Sequence, residues 1–207
     1  LLLSVPLAIL RNYGSPLAQL PIRAFVYFFR GTPLLVQMFL VYYGFGQFEL
    51  IKESILWTFF QEAYLCALLA FTLNTAAYTT EILRGAIKAT PHGDIEAAMA
   101  AGMSRFMMVR RIILPSAFRR ALPAYSNEII FMLHGSSLAS VITIVDITGA
   151  ARIINSRFYS PYEAFLTAAV LYMAITFLIV FLVKKLEVRW FAHLQPQSTK
   201  SVIEAPP

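Results

Sequence analysis

Long apolar runs separated by shorter polar stretches form the main pattern of this chain. A partial run at 1–10 is followed by four longer ones, at 33–48, 63–83, 129–145 and 163–183. A helix of about 21 residues rises about 31 Å, close to the roughly 30 Å hydrocarbon layer of a membrane. The pattern predicts an all-α integral membrane protein with about five spans, the first of them truncated. The two shortest runs are expected to be tilted or partly lined by protein.

Turn-forming residues predict where two of these helices begin. Thr32 is expected to cap a helix whose first residue is Pro33, because proline is favoured in the first turn. Ser160 and Pro161 precede the last span in the same way.

Composition separates this chain from soluble proteins. Hydrophobic residues make up 58% of it and charged residues 14%, whereas a soluble domain carries about 25% charged residues. The chain opens on Leu1-Leu2-Leu3 without a basic region or a cleavage site. We therefore expect it to begin within a first membrane helix and not at a signal peptide. The single Cys66 lies in an apolar run, which predicts a packing role.

The polar segments alternate in charge along the chain. Their formal charges are +3 at 11–30, −2 at 49–62, +4 at 84–128, zero at 146–163 and +2 at 184–207. Basic segments stay on the cytoplasmic side of a membrane, so the first, third and fifth are predicted to be cytoplasmic, with the N-terminus outside and the C-terminus inside. The net charge of +6 then follows from topology and indicates no nucleic-acid partner. We expect a single transmembrane domain over 1–207, with a cytoplasmic loop at 84–128 and a flexible tail at 195–207.

The cytoplasmic loop at 84–128 is predicted to contain two short helices. The first is expected over Ile95 to Ala101, with Asp94 near its positive end. Gly102 is expected to end it, because glycine tolerates a positive φ. Ser104 is then placed to cap the second helix.

The same loop carries a long spaced motif, EAA-x3-G-x9-I-x-LP, which starts at Glu96 and ends at Leu114-Pro115. An amphipathic helix that rests its arginines on membrane lipid is the simpler interpretation of such a segment. The full spacing, however, resembles the signature loop of the membrane subunits of bacterial ATP-driven (ABC) importers. The chain is thus identified with the transmembrane subunits of type I ABC importers.

This resemblance implies the partners and the place of the chain. In that family, the helix at 95–103 is a coupling helix that transmits movement from an ATPase to the spans. The residues expected to couple to the ATPase are Asp94, Glu96, Ala97, Ala98, Gly102, Arg105 and Pro115. The implied assembly, in the bacterial inner membrane, holds two ATPase subunits, a second homologous permease (a paralogue is expected) and a periplasmic binding protein.

The chain itself is not expected to be an enzyme. It contains no G-x4-GK[ST] phosphate loop, so ATP and Mg²⁺ belong to the partner ATPase and no cofactor is expected on this chain. It also lacks the GxSxG and HExxH motifs, and no catalytic or metal-binding residue is assigned. A stand-alone carrier remains the less favoured alternative, because a carrier needs no EAA loop.

Three further segments resemble permeases for polar amino acids. They are the runs at 30–37, 73–82 and 122–128. The resemblance is greatest to permeases for basic amino acids (histidine, lysine, arginine and ornithine) and for opines. It implies import of a basic amino acid, with an opine or glutamine and glutamate as the alternatives.

Polar residues inside the spans are costly and need an explanation. Asn74, Tyr78 and Glu81 share one helix face at i, i+4 and i+7, and Thr75 is adjacent. We interpret Asn74, Thr75 and Tyr78 as contacts along the substrate path, with helix–helix hydrogen bonding as the equal alternative. For Glu81, an ion pair with Arg84 is the preferred interpretation.

Other candidates for the path follow the small residues of the run at 129–145. Ser136 and Ser137 lie where glycine and serine allow a close backbone approach or a break in the helix. His134 is expected to have a hydrogen-bonding or gating role there. Asp146 is expected at the outer boundary, either as a carboxylate that grips a cationic substrate or as the cap of a helix toward Ile154.

Overall fold

The computed structural model describes residues 1–191, and the regular secondary structure of that part of the chain is entirely helical. The predicted flexible tail at 195–207 lies outside the described residues. The α-helices are α1 (Ser4–Tyr13), α2 (Pro16–Gly31), α3 (Leu34–Phe39), α4 (Glu49–Lys52), α5 (Trp57–Phe60), α6 (Ala63–Lys88), α7 (His92–Ala100), α8 (Arg105–Met108), α9 (Leu114–Ser136), α10 (Ile147–Phe158) and α11 (Pro161–Phe191). Single turns of other helix types extend them at Leu40–Gly44, Phe45–Gln47, Val109–Ile113 and Ser137–Ile142.

Fewer helices than the five predicted spans have the length and the apolar composition needed to cross a membrane. In the described part of the chain, one helix, Pro161–Arg189, is by itself long and apolar enough to cross a membrane. Two bent helix pairs raise the number of spans to three if each pair is one span. The pairs join Pro16–Gly31 to Leu34–Gln47 at 108° and Arg105–Ile142 to Ile147–Phe158 at 48°. The polar residues of α6 dilute its apolar character although its 26 residues extend about 39 Å. The count of five therefore stays a prediction.

The segment at 11–30, predicted as a polar loop, is mostly the helix α2. Ser15 caps this helix by accepting a hydrogen bond from the Ala18 amide at 3.3 Å. The charge pattern misled the prediction, because an arginine can lie on the exposed face of a helix. Arg23 does so and donates to Gln19 one turn earlier at 2.7 Å.

The predicted cap at Thr32 is wrong. Thr32 ends α2, and its hydroxyl donates back to the Phe28 carbonyl at 2.8 Å. Pro33 is extended, and α3 begins only at Leu34. A hydroxyl that reaches back four residues satisfies the last carbonyls of one helix and is then absent from the start of the next.

The run at 129–145 is not one helical span. Its first part belongs to α9, which begins at Leu114 and ends at Ser136, where the backbone tightens into a 3₁₀ turn. Thr143 then takes a left-handed φ of 72°. The predicted break among the small residues is therefore confirmed, and so is the start of the last span at Pro161.

Helix α6 is the central element and packs against α1, α2, α3 and α9. Alanine is frequent in its buried face, which lets neighbouring helices approach closely. One apolar cluster lies toward the C-terminal end of α6 and contains Ala8, Leu83, Ala86, Ile87, Ile113, Ala117 and Ala121. The other lies toward the N-terminal end and contains Met38, Val41, Cys66, Ala67, Ala70, Ala139 and Ile142. The packing role predicted for Cys66 is confirmed, since it is fully buried.

Candidate functional site

The middle of the predicted coupling loop, 84–128, folds as two short helices joined by a tight turn, whereas its two ends belong to the long helices α6 and α9. The first, α7, begins three residues earlier than predicted because Pro91 starts the turn, with the Asp94 amide donating to its carbonyl at 3.2 Å. Gly102 takes a φ of +72° and ends the helix as predicted. Its amide donates to Met99 and the next amide donates to Ala98, which is a Schellman motif. Ser104 caps α8 as predicted, accepting from Met107 at 3.3 Å.

One side of α7 is anchored and the other is free in the isolated chain. Ala98 is 2% exposed and holds the helix to the rest of the protein. The other residues predicted to couple to the ATPase are exposed: Asp94, Glu96, Ala97, Gly102, Arg105 and Pro115. Large apolar side chains join them, with Met99 57% and Phe106 74% exposed. Exposed apolar groups among polar ones are typical of a protein-binding surface. We call the exposed side of α7 and α8 the α7 surface.

The Schellman turn gives a local prediction. Replacing Gly102 by Ala is expected to speed amide hydrogen exchange in α7 roughly tenfold, because a left-handed residue with a Cβ costs about 1–2 kcal/mol. Gly93→Ala is the matched control, since Gly93 has no positive φ and a Cβ there meets no atom within 4 Å. Equal exchange rates in the two variants would contradict this reading of the turn.

A cavity of about 400 Å³ lies near the middle of α6, between that helix, α9 and the turn from α2 to α3. Its lining residues are Thr32, Pro33, Leu34, Asn74, Tyr78, Glu128, Phe131 and Met132. Two of the predicted path residues, Asn74 and Tyr78, line it directly. The third, Thr75, contacts the lining residue Glu128. We call this space the central cavity.

A buried amide network fixes one wall of the central cavity. Asn74 donates to Gln37 Oε1 at 2.9 Å and to the Phe29 carbonyl at 3.2 Å. Gln37 in turn donates to the Phe29 carbonyl at 2.8 Å and to Thr32 Oγ1 at 2.8 Å. The helix–helix hydrogen bonding weighed for Asn74 is thus observed. It ties α6 to the end of α2 and the start of α3, so this wall is rigid.

Glu128 supplies the negative charge of the central cavity, and the sequence did not single it out. The residue is 7% exposed, and among the described residues its one side-chain hydrogen bond comes from Thr75 Oγ1 at 3.4 Å. A buried carboxylate with so few donors is costly unless a cation joins it. The apolar run begins at 129, so the sequence pattern assigns Glu128 to the cytoplasmic loop. Its spacing of three and four residues from Phe131 and Met132 was the available signal.

Glu81 lies one turn beyond Tyr78 and gathers arginines from three helices. The predicted pair with Arg84 is confirmed, with Arg84 Nε 3.0 Å from both carboxylate oxygens. Arg11 of α1 also binds this carboxylate. Arg30 of α2 lies farther away, its Nη1 at 4.0 Å from Glu81 Oε2. The Arg30 guanidinium lies over the Tyr78 ring, 5.2 Å from its centroid.

Ser136, Ser137 and Asp146 do not line the central cavity. Asp146 caps α10 by accepting from the Gly149 amide at 2.7 Å, and its second oxygen accepts from Tyr172 at 3.0 Å. The capping alternative is therefore the one observed. The serine hydroxyls donate to carbonyls of their own helix. The roles of these three residues in the substrate path stay predictions.

A second cavity, of about 320 Å³, lies between α9, α10 and α11 and is lined by Ser137, His134, Thr148 and Tyr172 among others. His134 Nε2 lies 3.2 Å from Thr176 Oγ1. Of the two roles predicted for His134, the hydrogen bond is the one observed.

Comparison with known proteins finds similar membrane proteins of transport systems. Residues 1–191 match the family of the binding-protein-dependent transport system inner membrane component. The histidine/lysine/arginine/ornithine transport system permease protein HisM of Escherichia coli (strain K12) is 50% identical over 198 residues, which cover 95% of this chain and 83% of that protein. The nopaline transport system permease protein NocM of Agrobacterium fabrum is 50% identical over 177 residues, 85% of this chain and 73% of that protein.

Solved structures agree in fold. The crystal structure of an amino acid ABC transporter with histidines superposes with a TM-score of 0.79 at 34% identity, covering 91% of this chain and 84% of that one. The inward-facing MetNI methionine ABC transporter superposes with a TM-score of 0.73 at 18% identity, covering 91% of this chain and 86% of that one. At this identity the likeness shows the fold alone.

Proposed function

Since this chain belongs to the binding-protein-dependent transport system inner membrane components, we propose that it is the permease subunit of an ATP-driven importer for basic amino acids. Arginine, ornithine, lysine and histidine are the proposed substrates. The 50% identity to a permease for those four amino acids, over 95% of this chain, supports the substrate class. A separate ATPase supplies the energy, and this chain performs no chemistry.

The observation that best supports a cationic substrate is the buried Glu128 carboxylate in the central cavity. Ligand sites in proteins have volumes of about 300–1,000 Å³ and few polar groups, which agrees with the about 400 Å³ of this cavity. Phe131 and Met132 offer apolar walls to an aliphatic side chain. A guanidinium or ammonium group at its end would satisfy Glu128, and an arginine side chain would do so with two parallel hydrogen bonds.

The helices provide a mechanical link from the α7 surface to the central cavity. Helix α8, the turn at Val109–Ile113 and α9 follow one another without interruption from the loop to Glu128. On the opposite wall, α6 continues from Asn74 to Lys88, just before α7. Movement of α7 on a closing ATPase would therefore reach both walls at once. Alternating access follows if those walls rock against each other.

The proposed assembly holds two ATPase subunits, a second homologous permease and a periplasmic binding protein. In it the N-terminus is periplasmic and the C-terminus cytoplasmic, with the α7 surface toward the ATPase. The exposed alanines of α7 leave a thin helix that could enter a groove closely, and Glu96 offers a carboxylate beside them. The second permease is proposed to be a paralogue of this chain.

The substrate class is tested by competition in proteoliposomes that contain the whole complex and its binding protein. Uptake of labelled arginine is expected to fall with excess lysine, ornithine or histidine and to persist with excess glutamine or glutamate. Equal inhibition by glutamine or glutamate would assign the same machine to neutral or acidic substrates and would remove the role of Glu128. Inhibition by an opine alone would favour the alternative substrate of the NocM relative.

A further inference from the structure

Arg30 has a charged group whose hydrogen-bonding capacity is unused in the described part of the chain. Its side chain is 44% exposed, against 9% for Arg11 and 26% for Arg84. Those two arginines approach Glu81 closely, whereas Arg30 is held only by the 4.0 Å contact and by the Tyr78 ring. A guanidinium has five N–H donors, and none of those of Arg30 makes a hydrogen bond to residues 1–191.

The charges around Glu81 do not balance. Three guanidinium groups meet one carboxylate, so the cluster has an excess of two positive charges. The Glu81 side chain is 13% exposed and lies seven residues before the end of α6. Arg11 and Arg30 reach it from the last turns of α1 and α2. Unbalanced charge inside a transport protein marks a place where an ion or a charged substrate passes. An anionic group is the ligand that this cluster would accept.

The Arg30 guanidinium lies beside the central cavity. Tyr78 lines that cavity and also supports Arg30 with the face of its ring. Glu128 lines the same cavity as Tyr78, so the two opposite charges lie around one space. The cavity thus has a carboxylate in its lining, on α9, and a guanidinium next to its lining residue Tyr78, at the end of α2. This pair of opposite charges complements a ligand that itself carries both signs.

We propose that Arg30 binds the α-carboxylate of the transported amino acid while Glu128 binds its cationic group. This inference rests on the proposed function and adds a second point of recognition to it. Bidentate contact between a guanidinium and a carboxylate gives geometric selection as well as affinity. The cavity would then distinguish an amino acid from an amine that has the same side chain but no carboxylate.

The test compares arginine with agmatine, which is arginine without the carboxylate. Binding of labelled arginine to the purified permease–ATPase complex, without the binding protein, is measured in competition with each compound at up to millimolar concentration. In the unaltered complex, arginine is expected to bind about tenfold or more tightly than agmatine, as a charge-assisted hydrogen bond requires. In the Arg30→Gln complex, the ratio is expected to fall close to one.

Arg23→Gln is the matched control, because Arg23 is an exposed arginine on the same helix and, within residues 1–191, Gln19 is its only hydrogen-bond partner. It is expected to keep the ratio of the unaltered complex. If the Arg30→Gln complex does not assemble, Arg30→Lys is measured. An intermediate ratio of arginine to agmatine affinity is expected, because an ammonium keeps the positive charge but lacks the paired N–H donors of a guanidinium.

Three results would overturn the inference. They are equal affinities in the unaltered complex, an unchanged ratio in the Arg30 variant that assembles, and no saturable arginine binding without the binding protein. ATP-driven arginine uptake by the same preparation is measured in parallel. If one of these three results is found together with ATP-driven uptake, the proposed function stands and the role of Arg30 is rejected. If ATP-driven uptake is absent as well, both are rejected.

Discussion

Replacing Glu128 by Gln is expected to lower arginine uptake roughly 30-fold or more. The substitution keeps the shape of the side chain and removes the one negative charge that the central cavity presents on α9. Removing one partner of a buried charge pair costs about 2–5 kcal/mol, and each 1.4 kcal/mol is about a tenfold change. The measurement is the initial rate of arginine uptake by the reconstituted complex over a range of loaded binding protein.

Glu163→Gln is the matched control for this variant. Glu163 is exposed in the first turn of α11, and the same substitution there is expected to leave uptake unchanged. The Glu128→Gln permease is expected to retain its ATPase partner through purification, because Glu128 lies in the central cavity and not on the α7 surface. Normal arginine uptake by this variant would remove Glu128 from substrate recognition.

Replacing Ala97 by Trp is expected to abolish ATP-driven uptake. Ala97 is on the exposed side of α7, and a thin alanine surface is what permits close approach to a partner. An indole there would hold the two proteins apart, and the contacts at the centre of an interface dominate its affinity. The measurement is the amount of ATPase that copurifies with the permease, together with uptake by the same preparation.

The control for this variant is Ala24→Trp. Ala24 is exposed on α2, away from the α7 surface, so the same increase in size is expected to leave the ATPase bound. Full copurification of the ATPase with the Ala97→Trp permease, or normal uptake by it, would show that partner docking occurs elsewhere.

Local chemistry was predictable from the sequence where a side chain acts on its own helix. The stop at Gly102, the cap at Ser104 and the pair of Glu81 with Arg84 are all observed. Each depends on residues no more than five apart, so spacing alone contains the information. The spaced motif around Glu96 likewise indicated the family, which the matches to known permeases confirm.

Contacts between distant parts of the chain were not predictable. Arg11 reaches Glu81 across 70 residues, and Asn74 reaches Gln37 across 37. Such contacts let polar residues lie inside the protein without the cost that a hydropathy pattern assigns to them. The helix α2 and the place of Glu128 were not predictable from the charge pattern either, because a charged residue can lie on a helix as well as in a loop.

We propose that this chain passes a basic amino acid through the central cavity when an ATPase acts on the α7 surface. The most direct test is accumulation of labelled arginine in proteoliposomes that contain the complete complex, with the binding protein outside and ATP with Mg²⁺ either inside or absent. We predict accumulation above the external concentration only with internal ATP, and none when the Ala97→Trp permease replaces the unaltered one. Accumulation that is the same without ATP would show a carrier that works alone and would contradict the account.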